Sequence, residues 1–123
     1  MNLFIVEDSA VIQNRLTRML EEIDDVNLVG IAAGLNDTYQ TILAHRTEAL
    51  ILDLQLSDGN GLSLLKKIKA SHPHIRVVVL SNHASEANRL LAKRAGADRF
   101  LDKSTDFQQI PEVLEQWHKL LSH

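Results

Sequence analysis

Glu7-Asp8, Asp53, Ser81 and Lys103 are the residues whose types and spacing could do chemistry together. Each stands at or just past the end of a short apolar run: Leu3–Val6, Ala49–Leu52, Ile75–Leu80 and Arg99–Leu101. If these runs are strands of one sheet, three carboxylates, a hydroxyl and an ammonium collect at one edge. Carboxylates packed that closely repel one another and raise each other's pKa values. A hard divalent cation such as Mg²⁺, which takes carboxylates, carbonyls and water as ligands, removes that repulsion. Asp53 leaves a buried-looking run, Ala49-Leu50-Ile51-Leu52, directly. A carboxylate there is a poor structural choice and points to function.

The elements that must bring these groups together follow from periodicity. A fifth run, Val26–Ile31, completes a set of five. Most are continuously apolar rather than alternating, as expected of strands buried on both faces of a parallel sheet. Helical spacing fills the intervals. Ile12, Leu16, Met19, Leu20 and Ile23 form one stripe, Leu62, Leu65 and Ile68 another, and Ile110, Val113, Leu114, Trp117 and Leu121 a third. Leu35–His45 and Ala84–Arg94 are weaker helices. The second is expected to present Ala87, Leu90 and Leu91 inward and to stop at Gly96. A turn at 105–109 precedes a helix from about Ile110, with Pro111 in its first turn, where a missing N–H costs nothing. Five β-α units imply a parallel sheet with helices on both faces. Right-handed crossovers and this size favour order 2-1-3-4-5, with the functional crevice at the carboxyl ends of strands 1 and 3.

Composition narrows the alternatives. The chain has 123 residues, a net charge of −3 and no cysteine, so it is read as one domain with neither a disulfide framework nor a thiolate metal site. The slight acidity argues against a sequence-independent grip on nucleic acid, and 4% aromatics argue against base-stacking platforms. Met1–Val6 meets Glu7 and Asp8 at once, unlike a signal peptide, and no apolar run spans a membrane. A cytoplasmic location is expected. The loop Glu7-Asp8-Ser9 would repel the phosphate of a flavin nucleotide, and the glycine pattern of a dinucleotide site is absent. Hydrolases with an aspartyl nucleophile on strand 1 usually carry a second acid two residues on, which Glu7-Asp8 does not match.

Taken together, Glu7-Asp8, Asp53, Ser81, Lys103 and the loop Leu56-Ser57-Asp58-Gly59-Asn60-Gly61 resemble the response-regulator receiver domain of two-component signalling over essentially the whole chain. That resemblance implies a single receiver domain over 1–123, without an output domain, and a signalling domain rather than an enzyme. It implies that Asp53 accepts a phosphoryl group from a histidine kinase or phosphotransfer protein. Mg²⁺ (or Mn²⁺) would be held by Asp8 and Asp53, by Glu7 through water, and by the backbone carbonyl of Gln55. Lys103 and Ser81 would contact the phosphoryl oxygens. Movement of Ser81 would make room for Phe100 and switch the face formed by the fourth helix, fifth strand and fifth helix, which would meet a downstream protein. Gln55 and His83, two residues beyond Asp53 and Ser81, would set phosphoryl lifetime.

The sequence also departs from the family pattern. Ser104 follows the lysine where proline is usual, Ser57 replaces a common proline, and Phe100 replaces a frequent tyrosine. Plainer readings stand beside the functional ones. Asp53 could cap a turn, Glu7 and Asp8 could complement a helix dipole, Ser81 could cap the next helix and Lys103 could be a solvated charge. His72 and His74 read as solvent-exposed residues around Pro73. Lys66, Lys67 and Lys69 read as a solvated helix face, and Trp117 with Leu121 as core. A phosphorylation-independent binding module and a small phosphatase remain as competing functions.

Overall fold

A computed structural model describes residues 1–121. Five strands, β1 (Asn2–Val6), β2 (Asn27–Ala32), β3 (Ala49–Asp53), β4 (Arg76–Ser81) and β5 (Arg99–Asp102), pair in parallel in the order 2-1-3-4-5. This is the expected topology. Between them lie α1 (Ala10–Glu21), α2 (Thr38–Ala44), α3 (Leu62–Ser71) and α4 (Glu86–Arg94), and α5 (Ile110–Leu121) closes the fold. The stretches Gln55–Leu56 and Gly59–Asn60 make a separate antiparallel ladder just after β3.

Alternate strand residues supply two cores. Phe4, Val6, Leu50, Leu52, Val77 and Val79 pack with Ile42 of α2, Leu65 and Ile68 of α3 and Ala92 of α4. Leu3, Ile5, Ile51, Val78, Leu80 and Leu101 pack with Leu16 and Leu20 of α1 and with Val113, Leu114 and Trp117 of α5. The three central strands are therefore apolar on both faces. β2 is an edge strand and is only partly buried. Its Gly30 sits where a Cβ would lie 2.5 Å from the buried Phe4 ring, so the packing of that ring across the β1–β2 pair requires glycine there.

Local chemistry sets the helix ends. The Ser9 hydroxyl accepts from the Ile12 N–H at the start of α1, and the Ser85 hydroxyl accepts from Asn88 at the start of α4. Gly96 (φ 104°) follows α4 in a backbone region that L side chains rarely adopt, which explains the stop. A single 3₁₀ turn, Phe107–Gln109, leads into α5 at Ile110, as the position of Pro111 suggested.

Three expectations are corrected. On α4 the buried residue is Ala92, whereas Ala87 is exposed and Leu90 and Leu91 are 47% and 50% exposed. The helix approaches the sheet through small side chains, and the leucines stand outside the contact. Leu121 is 48% exposed and lies beyond the core that Trp117 closes. Lys69 is not a solvated charge: its Nζ donates to the Ile75 carbonyl at 2.6 Å and to Asp98 at 2.7 Å. Both partners lie on the segment leading into β4 and the turn before β5, so Lys69 ties α3 to the sheet. Lys66 and Lys67 are exposed as expected, with Lys67 over the Tyr39 ring. His74 is exposed, and His72 is half-buried with Nδ1 2.9 Å from the Ser71 hydroxyl.

Candidate phosphoryl and metal site

The carboxyl ends of β1, β3, β4 and β5 bring Glu7, Asp8, Asp53, Ser81 and Lys103 to one crevice. Glu7 and Asp53 are buried, and Asp8 is exposed at the rim. Lys103, also buried, bridges the two buried acids: its Nζ lies 2.6 Å from Glu7 Oε1 and 2.9 Å from Asp53 Oδ2. The solvated-charge reading of Lys103 is thereby excluded. Burial disfavours the Lys103 cation, but its bonds and attraction to Glu7 and Asp53 outweigh that and raise its pKa. For Glu7 the balance falls the other way. Desolvation outweighs Lys103 and the Ser9 N–H, and the nearby Asp53 charge adds to it, so the Glu7 pKa is raised. Both shifts follow from a pocket holding more buried negative charge than one lysine can offset.

Backbone donors hold the acids in place. Ser9 N–H donates to Glu7 Oε2 at 2.9 Å, Gln55 N–H to Asp53 Oδ1 at 3.1 Å, and Ser57 N–H to Asp8 Oδ2 at 3.0 Å. Asp53 does cap the turn that follows it, and that bond also orients its carboxylate. Ser81 is not the cap of α4, since Ser85 takes that place. The Ser81 hydroxyl donates to Gln55 Oε1 at 2.8 Å and accepts from the His83 N–H at 3.0 Å. Phe100 is half-buried beneath the Arg89 guanidinium, 4.8 Å from its ring centre.

Donor chemistry tests whether a cation suits the site. One carboxylate oxygen from each of Glu7, Asp8 and Asp53 lies within 4.8 Å of the others. These are hard oxygen donors, two of them buried and only partly neutralised, so the set fits Mg²⁺ or Mn²⁺. A cavity of about 190 Å³ opens beside them, lined by Asp8, Ser9, Ile12, Asp53, Gln55, Asn82, His83 and Lys103. Gln55 and His83 both line this cavity together with Asp53. Asn82 and the Ser57 N–H were not anticipated. Asn82 follows Ser81 directly and could have been found by adjacency. A backbone donor carries no side-chain signal.

The architecture and the acid cluster define a class of protein, and comparison with known proteins identifies the same one. Residues 3–115 match the response regulator receiver domain family. The chain belongs to that family, whose function is phosphorylation-mediated signalling and whose members bind Mg²⁺ at an acidic pocket. It is 30% identical over 111 residues to the oxygen regulatory protein NreC of Staphylococcus epidermidis, covering 89% of this chain and 51% of that one. It is 29% identical over 119 residues to the transcriptional regulatory protein MalR of Bacillus subtilis, covering 96% and 50%. The response regulator domain of Thermotoga maritima CheB superposes with a TM-score of 0.83 at 26% identity, covering 100% and 97%. The chain thus spans about half the length of these two curated relatives.

Proposed function

We propose that Asp53 is the phosphoacceptor of this receiver and that Glu7, Asp8, Asp53 and the Gln55 carbonyl hold Mg²⁺ or Mn²⁺. The observation that carries this reading is Lys103 bridging Glu7 and Asp53, which makes three residues from the ends of β1, β3 and β5 one electrostatic unit. A carboxylate oxygen of Asp53 attacks the phosphorus of a phosphohistidine. The new O–P bond forms as the N–P bond breaks, and the imidazole leaves with the electron pair and takes up a proton. The nucleophile has no proton to lose, so neither Lys103 nor Ser81 acts as a base; positioning and charge neutralisation do the work. The cation, when bound, supplies charge stabilisation to the transferring group. Lys103 pairs with one phosphoryl oxygen, and Ser81 exchanges Gln55 for another.

On this reading residues 1–123 are one receiver unit, a signalling domain that turns over only its own phosphoryl group, acting in the cytoplasm. Its phosphodonor is a histidine kinase or phosphotransfer protein. Its output passes to a downstream protein through the face of α4, β5 and α5, without the receiver itself contacting nucleic acid. No helix among the described residues is long and apolar enough to cross a membrane, which is compatible with that setting. Movement of Ser81 and Phe100 carries the switch.

The test is an intact-mass measurement after incubation with a small phosphodonor and Mg²⁺. The expected result is a Mg²⁺-dependent gain of one phosphoryl group, absent in Asp53→Asn. No gain with any donor would replace this reading with a binding module. Turnover of added phosphomonoesters would replace it with a phosphatase.

A further inference from the structure

Two of the three clustered carboxylates are fixed by burial and by Lys103, and the third is not. Asp8 is exposed, and its only hydrogen bond among the described residues comes from the Ser57 N–H, at 3.0 Å to Oδ2. That donor belongs to the short hairpin after β3. The same hairpin supplies the Gln55 N–H to Asp53, the Gln55 amide oxygen to Ser81, and the Asp58 carboxylate to the Leu35 N–H at 2.8 Å. This last bond ties the hairpin to the loop before α2, and a Cβ at Gly34 would sit 2.6 Å from the same carboxylate oxygen. The hairpin therefore spans from the β2–α2 loop across the mouth of the acid cluster, and Ser57 is where it grips Asp8. A proline at this position has no N–H and could not make that bond.

We infer that Ser57 is a positioning residue for cation binding, its backbone N–H holding the Asp8 carboxylate toward Glu7 and Asp53. The inference rests on the metal reading above and adds a determinant of affinity specific to this chain. Without the bond, an exposed aspartate turns freely in solvent and must be immobilised when the cation binds. The serine hydroxyl has no part in this, because the donor is the main chain.

Calorimetric titration of the whole chain with Mg²⁺ alone tests it, comparing the parent with Ser57→Ala and Ser57→Pro. Ser57→Ala keeps the N–H and is expected to bind like the parent. Ser57→Pro is expected to bind about three- to ten-fold more weakly, the cost of ordering one side chain. Equal or tighter binding by Ser57→Pro overturns the inference, as does equal weakening in Ser57→Ala. No binding by the parent overturns the metal reading itself. Should Ser57→Pro not fold, the Ser57 amide resonance of the parent decides: movement with the calorimetric Kd supports the grip, and no movement overturns it.

Discussion

At the scale of single residues, the site is an ion triad with a hydroxyl held in reserve. Lys103 faces two buried carboxylates, so removing it leaves buried charge without a partner. Lys103→Met is expected to cost about 3–5 kcal/mol in urea denaturation without metal. Mg²⁺ should restore more stability to this variant than to the parent, because the cation replaces the missing charge. The pH dependence follows from the raised Lys103 pKa. The folded state holds that proton more tightly than the unfolded state. Lys103 therefore contributes fully below its ordinary value of 10.5, and the contribution fades as pH rises through the higher folded value. Denaturation series up to about pH 11 should show this alkaline loss in the parent and less of it in Lys103→Met. Gln55 accepts the Ser81 hydroxyl, and on the proposed reading the phosphoryl group would displace that bond. Gln55→Ala should change phosphoryl lifetime by about two- to ten-fold, the worth of one hydrogen bond, and His83→Ala, which removes a ring from the cavity wall beside Asp53, should change it as well, both with little change in stability. Loss of label from phosphorylated protein measures this, and lifetimes equal to the parent's would remove both residues from the role.

Among the elements, α4 departs furthest from its sequence pattern. Its leucines are its largest apolar residues, yet Leu90 and Leu91 face outward and Ala92 is fully buried. Leu90→Ala and Leu91→Ala should each stay within about 0.5 kcal/mol of the parent, as surface changes do. Ala92→Leu should cost about 1–3 kcal/mol, because the helix lies too close to β4 and β5 for a larger side chain. Thermal unfolding of the three variants checks both statements. A helix whose buried contacts are the small side chains Ala92 and Ala95 can shift at small cost, which suits the proposed switch. Chemical shifts around Phe100 and residues 84–101 should move when a phosphate mimic binds. A spectrum unchanged there would rule out that route.

For the molecule as a whole, stability rests on two apolar layers, and the proposed function on one end of the sheet between them. Trp117 closes the layer under α1 and α5, so Trp117→Ala should cost about 3–5 kcal/mol. Leu121→Ala, four residues on, should be nearly silent, since that side chain is half-exposed. Chemical denaturation separates the two. The net charge of −3 also acquires a location. Glu7, Asp8 and Asp53 outnumber Lys103 at the site, so much of the excess negative charge is gathered where a cation and a phosphoryl group would meet.

The sequence by itself determined the topology and which charged residues gather at the carboxyl ends of the strands. Apolar runs of strand length followed by helical spacing admit few arrangements, and parallel strands must end their site residues on the same side. Asp53 and Lys103 were legible because a charge at the end of a buried strand has few structural excuses. The tertiary structure alone decided which face α4 turns inward, that Lys69 reaches Asp98, and that Leu121 falls outside the core. Only the fold revealed the Ser57 N–H on Asp8 and the Gln55 amide on Ser81. Periodicity states which residues are apolar, but not how close two elements lie. Backbone donors have no side-chain identity to read. Those contacts come into being only when segments distant in sequence are packed together.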